Sequence, residues 1–73
     1  MNKEDKMLYT VKETSVALGV NVHIVYSLIR KGLLPAIKLG SLKIRKETLQ
    51  GFISKYEGMD LSDLDNIKEL NII

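Results

Sequence analysis

The sequence predicts a mainly α-helical domain of three helices with one small β-hairpin. Two observations point there. Apolar residues recur at helical spacing around residues 10–18, 21–31 and 46–56, and each stretch is bounded by residues suited to start or stop a helix. Between the second and third lies AIKLGSLKIR, residues 36–45, where apolar and polar residues alternate on both sides of Gly40-Ser41.

The elements follow in order. Residues 1–8 are a polar, flexible lead-in, with Leu8 and Tyr9 placed to tuck under the domain. The run T-V-K-E at 10–13 is a capping box, with Thr10 as N-cap and Glu13 reaching back. Val11, Thr14, Ser15 and Leu18 then share one face. These inward positions are mostly small, so another helix can approach closely. Gly19 ends this helix, and Gly19-Val20-Asn21 is a tight connection to the next. Two helices joined by such a glycine-containing turn make a helix-turn-helix pattern.

The second helix, Asn21 to Lys31, organises the chain. Asn21 is a good N-cap, and Gly32 sits where a left-handed glycine ends a helix. Val22, Ile24, Val25, Leu28 and Ile29 fall on one broad side. His23, Tyr26, Ser27 and Arg30 fall within about 100° of each other on the other side. That second face offers hydrogen-bonding groups, a ring and a cation, and no acid.

After Pro35 the alternating stretch predicts a hairpin about a two-residue Gly40-Ser41 turn. In that register Leu39 faces Leu42 and Ile37 faces Ile44, all four on one side. Lys38 and Lys43 then lie opposite each other on the other side. Like charges so placed repel mildly, and a phosphate between them would remove the cost. The third helix carries Leu49, Phe52, Ile53 and Tyr56 as its apolar stripe. The tail after Gly58 has Leu61, Leu64 and Leu70 near helical spacing, with Ser62 as a cap, and is expected to form a short amphipathic helix. The alternatives for it are a disordered end or a docking segment for a partner protein.

Composition narrows the function. Seventy-three residues make one small domain. There is no cysteine, which rules out disulfides and thiolate metal sites and fits a reducing cytoplasm. No apolar run approaches the ~20 residues of a membrane span, and the first residues lack a signal-peptide core. The net charge of +2 hides a segregation. Residues 1–58 hold ten Lys/Arg against five Asp/Glu, giving +5; residues 59–73 hold one Lys against four Asp/Glu, giving −3. From Arg30 to Lys46 there are six cations and no acid. A basic body suits a polyanion, and the acidic tail has a separate role. His23 is the single histidine, so a metal site has no second nitrogen or sulfur ligand. No cluster of nucleophile and base stands out, and no catalytic residue or cofactor is expected.

Six pieces of the chain carry a family resemblance: Y-T-V-K-E at 9–13, A-L-G-V at 17–20, V-Y-S-L-I-R-K-G at 25–32, L-P-A at 34–36, K-L-G at 38–40 and K-I-R-K-E-T-L at 43–49. Together they resemble the excisionase-type helix-turn-helix family, related to the DNA-binding domains of MerR-like regulators. The resemblance implies a winged helix-turn-helix over residues 9–58, followed by the acidic tail at 59–73. It implies a second helix in the major groove of double-stranded DNA and a hairpin wing on the backbone or in the adjacent minor groove.

On this reading Asn21, Val22, His23, Tyr26, Ser27 and Arg30 belong to the recognition helix. Lys12, Lys31, Lys38, Ser41, Lys43, Arg45 and Lys46 serve the wing and the phosphates. The expected core is Val11, Leu18, Val25, Ile29, Ile37, Leu39, Leu42, Ile44, Leu49, Phe52 and Ile53. The expected role is that of a small excisionase that bends DNA to assist an integrase, met through the tail, with cooperative self-association on tandem sites. A small transcriptional regulator of a mobile element is the near alternative. A protein-interaction module acting through the tail is the rival of a different class.

Overall fold

The computed structural model describes residues 6–71; most of the expected N-terminal lead, residues 1–5, lies outside the described residues. The chain order is β1 (Leu8–Thr10), α1 (Val11–Leu18), α2 (Val22–Arg30), β2 (Ile37–Leu39), β3 (Ser41–Arg45), α3 (Lys46–Tyr56), β4 (Met59–Asp60) and β5 (Lys68–Glu69). Three helices and a hairpin stand as the alternation of patterns predicts. Leu8, assigned to the lead-in, instead begins a strand.

The capping box forms. Glu13 N–H donates to Thr10 Oγ1 at 3.0 Å, and Thr10 N–H donates to Glu13 Oε1 at 2.9 Å. The hydrogen bond from Lys6 Nζ, together with the Thr10 amide, holds the Glu13 carboxyl below the ordinary glutamate range. It therefore stays ionised beside the positive end of α1. At the start of α2, Ile24 N–H donates to Asn21 Oδ1 at 3.1 Å. At its end the chain passes through Lys31 into Gly32, whose φ of 76° is the left-handed conformation the sequence required.

That turn determines the core. The Leu28 carbonyl accepts from the amides of both Leu33 and Leu34, at 3.0 and 3.2 Å. The chain folds back on the helix, and Leu34 is driven fully inside. It joins Val11, Val25, Leu28, Ile44 and Leu49, with Leu18, Ile29, Leu42 and Phe52 packed around them. Ile37, Leu39 and Ile53 are exposed rather than in the core. The first two are displaced by the hairpin register, described below. Ile53 lies at the outer margin of the α3 stripe, beyond the half-buried Phe52 and Tyr56, whose rings meet at 5.0 Å.

The small inward residues of α1 are buried, and this helix packs against α2. Thr14 and Ser15 are both buried. Ser15 Oγ donates to the Lys12 carbonyl at 2.6 Å. Thr14 Oγ1 is buried and has no hydrogen-bond partner among the described residues. A buried hydroxyl without a partner opposes folding by about 1–3 kcal/mol. Thr14→Val keeps the shape and removes the orphan oxygen, so it is expected to raise stability by ~1 kcal/mol in urea denaturation. A loss of stability would show that the hydroxyl is paired in solution.

The main sheet is antiparallel in the order β1-β3-β2. Tyr9 pairs with Ile44 across β1 and β3. The amide of Lys46, the first residue of α3, donates to the Met7 carbonyl at 3.0 Å, so the segment before β1 satisfies one of the free donors of that helix. Across the hairpin, Lys38 pairs with Leu42 and Ile37 with Lys43, one residue away from the predicted register. Because side chains alternate, the slip turns every β2 side chain to the opposite face. Ile37 and Leu39 now share a face with Ser41, Lys43 and Arg45, while Lys38 shares the face of Leu42 and Ile44.

Among the described residues the expected C-terminal helix does not form. Residues 59–69 instead form a small hairpin in which Met59 pairs with Glu69 and Asp60 with Lys68. Ser62 is no helix cap; its amide and hydroxyl both donate to Asp60 Oδ1, at 2.9 and 2.6 Å. These bonds hold the Asp60 carboxyl below the ordinary aspartate range. Leu61 and Leu64 pack against the core, which fixes the hairpin to the body of the domain.

Candidate nucleic-acid interface

The exposed side of α2 is set by what its other side buries. Val25 and Leu28 are buried, and Val22 and Ile29 half-buried. At 100° per residue, His23 and Arg30 lie almost diametrically opposite the buried pair, with Tyr26 and Ser27 flanking them. His23, Tyr26 and Arg30 are exposed and Ser27 is half-buried. Arg30 Nη2 approaches Ser27 Oγ at 3.4 Å, a long contact that leaves most of the guanidinium donors available. Asn21 is exposed but uses its side-chain oxygen on the helix cap. Ile24, assigned from sequence to the inward side, is 43% exposed and lies about 60° from Ser27, at the margin of this surface.

The remaining cations fall into distinct situations. Lys12 on α1 and Lys38 on β2 are exposed and carry no ion pair among the described residues. Lys43 is half-buried and donates to Ser41 Oγ at 2.7 Å. Arg45 lies 3.6 Å from Glu47. Lys46, at the first turn of α3, is half-buried. The predicted phosphate clamp between Lys38 and Lys43 does not form, because the register places them on opposite faces of the ribbon.

Lys31, which follows Arg30 directly, is engaged across the molecule. Its Nζ lies 2.5 Å from Asp65 Oδ1 of the C-terminal hairpin. Asp65 is a residue that sequence reasoning did not bring to this site. The 34-residue separation leaves no local signal, and the acidic charge of the tail was the only hint.

Two helices joined by a three-residue turn, followed by an antiparallel hairpin, narrow the choice of architecture, and one comparison decides it. Residues 8–56 match the family model described as a helix-turn-helix domain. The chain belongs to the helix-turn-helix family. No curated protein and no solved structure matches it. The match spans β1 through α3, so it takes in the α2 face and the β2–β3 hairpin and leaves out the acidic β4–β5 hairpin.

Membership gives this helix-turn-helix domain a physical role. Such domains are typically non-enzymatic and bind double-stranded DNA in a sequence-specific manner, with the second helix of the pair at the groove. Among the described residues no group of three or more His, Cys, Asp or Glu is placed to hold a metal, and no helix is long and apolar enough to cross a membrane.

Proposed function

We propose that the chain is a sequence-specific DNA-binding protein of the winged helix-turn-helix type, with α2 in the major groove. The observation that carries this is the acid-free arc of exposed His23, Tyr26 and Arg30 with the half-buried Ser27 between them, opposite a buried apolar stripe. Arg30 makes a bidentate contact to guanine, His23 and Ser27 bond base edges, and Tyr26 and Ile24 touch thymine methyl groups. The β2–β3 hairpin is the wing. With Lys38 and Lys43 on opposite faces, it straddles the backbone and reaches two separate phosphates. Lys12, Arg45 and Lys46 hold further phosphates.

The resemblance of the six quoted segments to excisionases supports a role in directing an integrase toward excision by bending DNA. Regulation of transcription in a mobile element is the competing role within the same reading. One experiment with two arms tests the proposal. Sequences bound from random DNA are selected, and affinity for the winner is then titrated against salt. If four of these five basic groups neutralise phosphates, the log–log slope is about −3.6, from ~0.9 per phosphate. A flat salt response overturns DNA binding. In the second arm the protein is added to a purified integrase and its attachment-site DNA. Excised product supports the excisionase role, and no product with altered transcription from the same DNA replaces it with regulation.

A further inference from the structure

We propose that the C-terminal hairpin is a built-in competitor of DNA: Asp65 occupies Lys31, and a backbone phosphate must displace this carboxylate to use that lysine. The inference rests on the reading of α2 as the DNA-facing helix. Lys31 immediately follows Arg30 at the end of that helix. It is one of six cations in the acid-free run from Arg30 to Lys46. The hairpin answers with opposite charge: Asp60, Asp63, Asp65 and Glu69 against Lys68.

The competitor is preorganised. β4 and β5 close the hairpin, and the Leu70 amide donates to the Gly58 carbonyl at 2.8 Å. Inside it, Ser62 is tied to Asp60, the Asp65 amide donates to Asp63 Oδ1 at 3.0 Å, and the Asn66 amide donates to the Asp63 carbonyl at 3.0 Å. Leu61 and Leu64 anchor the loop on the core. The loop backbone is thus fixed with Asp65 next to Lys31, so the pair forms without ordering the loop, while the lysine side chain still loses rotamer freedom in making it. The pair remains open to solvent, with Lys31 at 47% and Asp65 at 74% side-chain exposure. A salt bridge so exposed is weak and exchangeable, which suits displacement by a polyanion.

A phosphate that reaches Lys31 meets two opposing effects. It must break the bridge, and it then sits beside an unpaired aspartate that repels it. Both effects lower affinity for any duplex and reduce the number of phosphates the wild-type surface neutralises.

Asp65→Asn tests this in the full chain. The substitution keeps the side-chain shape, leaves the backbone bond to Asp63 intact and removes the charge. In anisotropy titrations with a labelled duplex, D65N is expected to bind about two- to fivefold more tightly at low salt, the range an exposed ion pair supports. Its salt slope should steepen by up to ~0.9, one additional phosphate. Lys31→Ala is expected to abolish this gain, so that K31A and K31A/D65N bind alike. Equal affinity and slope for wild type and D65N overturn the inference while leaving DNA binding standing. A gain of the same size in the K31A background also overturns it, since the effect is then general charge and not this contact. Absence of binding by every variant to every duplex removes the underlying reading together with the inference. A D65N gain alongside an unbound wild type supports both.

Discussion

Leu34→Ala is expected to destabilise the protein by about 3 kcal/mol, within the range for removing a large aliphatic side chain from a packed core. Leu34 is fully buried and lies where the turn after α2 meets Val25, Ile44 and Leu49. A chain of this length has only roughly 4–11 kcal/mol of total stability. The midpoint of urea unfolding, followed by circular dichroism, should therefore fall by a large fraction of its value. Leu39→Ala makes the comparison sharp. The two residues are chemically identical and five positions apart, yet Leu39 is 62% exposed. It should shift the midpoint little. Comparable losses from both substitutions would mean that the hairpin folds against the core after all, in the register the sequence predicts.

Arg30→Ala should weaken binding to a selected site by about 10- to 100-fold, the ~1–3 kcal/mol of one bidentate base contact. The side chain is exposed, and its one hydrogen bond among the described residues is the 3.4 Å approach to Ser27, so thermal melting should change little. Discrimination at one base pair of the site should relax with the affinity. Lys12, proposed to hold a phosphate, should behave differently when removed. It would weaken binding to all sequences alike and flatten the salt slope by about 0.9. An Arg30→Ala protein that binds the selected site as well as wild type would take α2 out of the reading role.

The parts of the fold legible in the sequence are those governed by neighbours in the chain. Thr10 and Glu13 are three residues apart and close their box; Asn21 caps α2 with one bond from the Ile24 amide, three residues on; Gly32 takes the positive φ that ends α2. The hairpin was legible as an element but not in register. Gly40-Ser41 alone favours a two-residue turn. Strand β3 nevertheless also pairs with β1 on its other side, and a local reading does not see that neighbour. The inward direction of Leu42 and Ile44 survived, while every β2 side chain was assigned to the wrong face.

The tail failed for a different reason. Its leucines have nearly helical spacing, but Asp60 and Asp63 bind amides two residues ahead of them. Such bonds compete with the helical ladder and favour turns. For the candidate site, the α2 arc followed from one period and one buried stripe. The pairing of Lys31 with Asp65 did not, because it joins residues 34 positions apart in the sequence.

The β1–β3 ladder carries a consequence for how the molecule is made. Tyr9 waits for Ile44, so β1 emerges during synthesis with no partner until α1, α2, β2 and β3 have followed. The two α-helices between them can assemble from local contacts, but closing this long loop costs entropy before the ladder rewards it. The nascent chain therefore holds a paired set of helices whose N-terminal edge is unsealed until Arg45 leaves the ribosome, and the final structure is locked only by a segment translated well after α2.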